Sequence, residues 1–129
     1  MPDQPAPSRL VPPGGGETIA FAWGRLHWLC SGERLPDARQ TFGLAEILPG
    51  CKNPRHYHPN CDEVLYLLEG ELDHTLGDAV YHLSPGALLH IPAGVPHDAR
   101  NVGPATARMI IAYNVPDRQA VFLEPGGNY

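Results

Sequence analysis

The chain has 129 residues with a formal charge of -5 at pH 7, 18% charged residues, 15 prolines and 14 glycines. That length sustains one compact domain, and so many turn formers with so few charges exclude long solvated helices in favour of an all-β chain. Nine Lys and Arg against fourteen Asp and Glu exclude the basic footprint of a nucleic-acid or anionic-membrane binder, leaving a small molecule or a protein as partner.

Residues 1–16 carry Pro2, Pro5, Pro7, Pro12 and Pro13 and end in Gly14, Gly15 and Gly16. Such a segment has little to bury, so a flexible arm is expected over 1–16, ahead of a barrel over 17–115 and a C-terminal tail over 116–129. No stretch reaches the ~18 apolar residues of a membrane span, and the first residues lack the basic-then-apolar pattern of a secretory signal. Cys30, Cys51 and Cys61 are few and odd in number, which points to reduced thiols and the cytoplasm.

Turn signals then recur at short intervals: Ser31-Gly32, Pro49-Gly50, Glu69-Gly70, Gly77-Asp78, Ser84-Pro85-Gly86, Pro92-Ala93-Gly94, Gly103-Pro104 and Pro116-Asp117. With apolar or alternating runs between them, this spacing predicts a sandwich or barrel. Strands are expected near 18–30, 40–48, 55–59, 63–69, 71–76, 79–83, 87–91, 95–101 and 106–114, with a two-residue hairpin at Gly77-Asp78.

The chemistry is concentrated in two stretches, GCKNPRHYHPNCDEVLYLLEG over 50–70 and GALLHIPAGVPHDARN over 86–101. Side chains two apart share one face of a strand, so His56 and His58 project toward the same interior point. Glu63 follows a Pro59-Asn60 turn that lets the next strand present its carboxylate there, and His97, just after the Pro92-Ala93-Gly94 turn, can supply a third imidazole. Imidazoles with a carboxylate are ligands for Fe(II), Mn(II), Zn(II), Ni(II) or Cu(II).

Both stretches resemble the two motifs of the cupin superfamily at every defining position, with Ala87 standing where the second motif commonly has an acidic residue. The resemblance implies a double-stranded β-helix, a jelly-roll-like barrel, in which His56, His58, Glu63 and His97 bind one divalent transition metal. Fe(II) or Mn(II) is favoured, with Zn, Ni, Cu and Co alternatives. Of the remaining histidines, His27, His74 and His82 are read as surface or structural residues, while His90 in LLHIP faces either the pocket or the outside. Cys61 is read as a buried, inert thiol. Arg55 is a candidate contact for an anionic substrate, as is His90 for substrate generally, whereas Tyr57 should point outward.

The run VLYLLEG is apolar on both parities, so both faces need cover and a homodimer is expected. Three imidazoles and a carboxylate leave a divalent ion net positive with open positions, suited to a small oxygenated organic substrate. Dioxygenase-type chemistry is slightly favoured, with lyase, isomerase or cyclase chemistry as the alternative and a non-enzymatic small-molecule binder as the other class.

Overall fold

A computed structural model describes residues 9–127 and 129 of the chain. The strands are β1 (Glu17–Phe21), β2 (Gly24–Cys30), β3 (Thr41–Ile47), β4 (His56–Tyr57), β5 (Glu63–Glu69), β6 (Leu72–Leu76), β7 (Ala79–Leu83), β8 (Leu88–Ile91), β9 (His97–Asn101), β10 (Ala107–Tyr113) and β11 (Val121–Phe122). No helix is long and apolar enough to cross a membrane among the described residues. Two antiparallel sheets form, one in the order β1-β2-β3-β10-β5-β8 and the other β11-β4-β9-β6-β7. The double-stranded β-helix expected from the motifs is the fold observed.

Alternation in the sequence places the core. In β3 and β10 every second residue is buried from end to end. In β5, Glu63, Leu65 and Leu67 face inward while Val64, Tyr66 and Leu68 face out. Leu67, Leu72, Ile47, Ile91 and Met109 are almost wholly excluded from solvent, each contributing about 1.5–3 kcal/mol of transfer free energy. Asn101 ties strand ends together: its Nδ2 donates to the carbonyls of Ile47 and Ala105, both at 2.8 Å, and its Oδ1 accepts from the Gly103 amide at 2.9 Å.

The hairpin at Gly77-Asp78 forms as expected, Leu76 pairing with Ala79 across a Gly77 at φ +58°. The single strand expected over 18–30 is instead a hairpin, β1 folding back on β2 through Ala22 and Trp23. No Asn-Gly or Asp-Gly marks that turn. What permits it is Gly24, where a Cβ would stand 1.9 Å from the Glu46 carbonyl oxygen, and the stacking of Phe21 on Trp23 at 4.9 Å. The short strand expected over 55–59 is paired only at His56–Tyr57.

Of the arm expected over 1–16, residues 1–8 lie outside the described residues, and Gly15 closes a turn on Pro12. In the segment expected as a C-terminal tail, β11 extends the second sheet by pairing with β4. Lys52 forms an ion pair with Glu124, whose carboxylate also accepts the Arg55 amide at 2.7 Å.

Candidate metal centre

His56 and His97 are direct partners across β4 and β9, with ring centroids 4.4 Å apart. His58 lies just beyond β4, where its carbonyl accepts the Gly94 amide at 2.8 Å and so holds the first motif against the second. Glu63 opens β5 on its inward face, opposite Ile91 on one side and Tyr113 on the other. All four are buried.

Each imidazole has its Nδ1 committed to a backbone carbonyl: His56 to Pro54 at 2.7 Å, His58 to Gln119 at 2.8 Å and His97 to Val95 at 2.9 Å. A carbonyl only accepts, so Nδ1 carries the proton and Nε2 is left as a lone pair. One ligand atom from each of the three histidines falls within 4.8 Å of the others, a group that could hold a metal ion. The Glu63 Oε1 stands 3.2 Å from His58 Nε2 and 3.4 Å from His97 Nε2, yet all three atoms are buried without a hydrogen-bond partner. Acceptors converging in a buried pocket repel one another unless a proton or a cation lies between them. The donor set therefore fits a divalent metal.

The electrostatics tell the same story. Burial, aided by the neighbouring His97, depresses the His56 pKa to about 3. Burial opposes charge on Glu63 too, but contacts with His58 and His97 outweigh it and hold the carboxyl well below its usual range. His97 shows the converse, its loss from burial outweighed by Glu63, which raises it. A negative Glu63 carboxylate thus faces an uncharged His56 imidazole with a lone pair to give.

The cavity in front of these groups has room of about 30 Å³ for water centres and is lined by His56, Glu63, His74, His97, Tyr113 and Tyr129 among others. That is space for about two water molecules. His74, expected to be a surface or structural residue, is 1% exposed and lines this cavity. Its parity with the buried Leu72 on β6 was the available signal. Tyr113 and Tyr129, whose burial raises both phenol pKa values, were not foreseen as lining residues.

Arg55 and His90 are not brought to the cavity. Arg55 donates to the Thr75 hydroxyl at 2.9 Å and the Gly77 carbonyl at 3.0 Å, fastening β4 to the hairpin beyond β6. His90 is exposed on β8, between the buried Leu89 and Ile91, and meets Asp62 at 3.1 Å. His82 is an exposed bridge between Glu71 and Asp73, and His27 bonds Thr18 on the neighbouring strand. Cys61 is buried outside the histidine group, its thiol pushed up to about 11 by desolvation.

Comparison with known proteins bears on this geometry directly. The family model described as a cupin domain matches residues 43–113, the stretch that holds all four groups. Polyketide synthase CurC of Streptomyces cyaneus is 40% identical over 69 residues, covering 54% of this chain and 45% of that protein. Protein SchB of Streptomyces halstedii is 37% identical over 69 residues, 54% of this chain and 50% of that one. A germin-like protein, subfamily 3 member 2 of Arabidopsis thaliana, is 34% identical over 79 residues, 57% of this chain and 35% of that protein. The chain thus spans half or less of the length of these curated relatives. Among solved structures, the oxalate decarboxylase of Lactobacillus farciminis in its formate complex superposes with a TM-score of 0.77 at 19% identity, over 83% of this chain and 33% of that one. An oxalate oxidase in complex with glycolate gives 0.71 at 24% identity, over 78% and 55%. At such identities the likeness shows a shared fold.

Proposed function

Because the chain belongs to the cupin family, we propose that it is a metal-dependent enzyme of small oxygenated organic molecules, with His56, His58, Glu63 and His97 holding one divalent ion. The observation that carries this reading is the convergence of buried, partnerless Nε2 and carboxylate acceptors on one point. Fe(II) and Mn(II) remain the favoured ions, the latter supported by the manganese centres named for the structurally similar oxalate decarboxylase of Bacillus subtilis. A divalent ion there supplies a Lewis acid for a carbonyl or enol oxygen and, as iron, a site for O₂.

The chain's own residues do the rest. Glu63 contributes the only anionic donor, leaving the site net positive toward an enolate or carboxylate oxygen. Tyr113, Trp28, Met109 and Ile111 wall the cavity with apolar surface, which excludes water and strengthens every charge interaction inside. His74, with its pKa depressed to about 4 by burial, is neutral at physiological pH and adds no competing charge.

Two reaction types use such a site: dioxygenation, favoured from the ligand set, and redox-neutral enolate chemistry of the lyase, isomerase or cyclase kind. Similarity to a protein named for polyketide synthesis supports substrates with several carbonyl or enol oxygens for either type. A homodimer joined through the outer face of β5 completes the reading. The deciding experiment is metal analysis of the purified chain, followed by screening polycarbonyl and enol substrates with and without oxygen. Oxygen uptake coupled to turnover selects the dioxygenase, and turnover under anaerobic conditions selects enolate chemistry. Tight binding without any turnover overturns the enzymatic reading in favour of a binding module.

A further inference from the structure

A second chamber adjoins the first. It has room of about 440 Å³ for water centres and is lined by Trp28, Ser31, Arg34, Thr41, Arg118 and Tyr129 among others. Trp28 and Tyr129 belong to both linings, so they form the partition between a roomy outer chamber and the small cavity at the four-residue centre. The outer volume is that of an ordinary small-molecule site. The inner one admits only the tip of a molecule.

Arg118 is the unusual group in that chamber. Its guanidinium carbon lies 4.5 Å from the Trp28 ring centroid, 5.3 Å from that of Tyr113 and 6.0 Å from that of Tyr129. Its Nη1 is buried and has no hydrogen-bond partner. Glu17, Glu33 and Asp117 also line the chamber, yet among the described residues none is within ion-pair distance of Arg118. Stacking on aromatic faces satisfies the flat sides of a guanidinium and leaves its in-plane N–H fork unused. A fork of that kind, with its Nη1 buried and its faces stacked on aromatic rings, matches the two oxygens of a carboxylate. No helix N-terminus accompanies it, so the arrangement suits a single negative charge better than a phosphate.

We propose that Arg118 is the specificity-determining residue of the substrate site, receiving the carboxylate of a small organic acid whose other, oxygenated end reaches the four-residue centre past Tyr129. This rests on the metal-centre reading above and adds the substrate class to it. Tyr129 follows Gly126, which sits at φ +94°, and its hydroxyl is buried without a partner.

The test uses the intact chain and two matched probe pairs, benzoate with benzamide and cinnamate with cinnamamide, titrated by calorimetry and by the indole resonances. The acids should bind at least about tenfold more tightly than the amides. That preference should vanish in Arg118→Met, survive in weakened form in Arg118→Lys, and persist after chelator treatment. Tyr129→Ala should tighten all four probes. Equal binding of acid and amide to the parent, or an acid preference unchanged in Arg118→Met, overturns the proposal. So do inorganic phosphate outcompeting benzoate and an acid preference abolished by the chelator. Metal content measured on the same samples separates the two readings: a chain with its metal but no acid preference refutes only the role of Arg118, and a chain without metal affinity refutes the centre itself.

Discussion

The His74 and His97 rings lie nearly parallel, 15° between their planes with centroids 5.7 Å apart. His74 thereby braces a residue of the centre without offering it a hydrogen bond, and its own Nδ1 is buried without a partner. Burial first, and the nearby His97 second, keep His74 uncharged down to a pKa of about 4.

That neutrality makes acid stability a direct test. A base whose folded pKa lies below its unfolded value stabilises fully above the unfolded pKa and loses that contribution as pH falls, because the unfolded chain takes up a proton the native one refuses. The window runs from 6.5 down to about 4 for His74 and from 6.5 to about 3 for His56. His97, raised instead, contributes with the opposite sign, its share lost as pH rises through its folded value. The clean measurement is therefore a difference: metal-stripped His74→Leu should show a shallower fall of Tm with acidification than the parent. Parallel curves would contradict the burial of a neutral imidazole at this position.

Replacing Glu63 by Gln preserves shape while removing the negative charge. Metal affinity, followed by competition with a chromogenic chelator, should fall by more than about tenfold, as it should in His97→Ala. In the parent, metal at about a hundred times its Kd should add about 2.7 kcal/mol of stability. Parent-like metal content in both variants would remove these residues from the centre.

The outer face of β5 sets the expected assembly. Val64, Tyr66 and Leu68 are 38–39% exposed there, and Leu88, which pairs with Tyr66 on β8, is 58% exposed. A second copy covering this face would withdraw it from water. Light scattering should give a dimer for the parent and a particle near 14.0 kDa for Tyr66→Glu. A monomeric parent at micromolar concentration rejects the interface.

Asn101 offers a test away from the chemistry. Cutting it to Ala strands the carbonyls of Ile47 and Ala105 and the amide of Gly103. With the buried Ile47 orphan costing about 1–3 kcal/mol and the two part-buried groups less because water reaches them, urea denaturation should show a loss of about 2–4 kcal/mol. A loss below about 0.5 kcal/mol would mean that water replaces the side chain at little cost.

The positions of His56, His58, Glu63 and His97 were readable because strand parity and turn residues act over a few positions. The carbonyls of Pro54, Val95 and Gln119 that orient the imidazoles were not, since a backbone acceptor has no residue signature. Arg118 and Tyr129 reach the chambers from a segment with no periodic pattern, brought there by β11 pairing with β4 across more than sixty residues. Arg55 and His90, expected as substrate contacts, stand away from the small cavity for a related reason. Their neighbours in sequence suggested a place near the site, but Thr75, Gly77 and Asp62, distant along the chain, claim their polar groups. The Ala22-Trp23 turn was hidden because its determinant is a close approach at Gly24 to the Glu46 carbonyl.

The bond from His58 to the Gln119 carbonyl spans 61 positions of chain, and this orders events during synthesis. Both motifs leave the ribosome before Gln119 does, so for part of its life the nascent chain has every side chain of the centre without the carbonyl that chooses the protonated nitrogen of His58. Over that interval either nitrogen of the ring is available to a passing ion. On the metal-centre reading, the His58 tautomer is fixed only once the 114–122 segment closes, and a chain interrupted before Gln119 should capture metal with a different selectivity from the finished one.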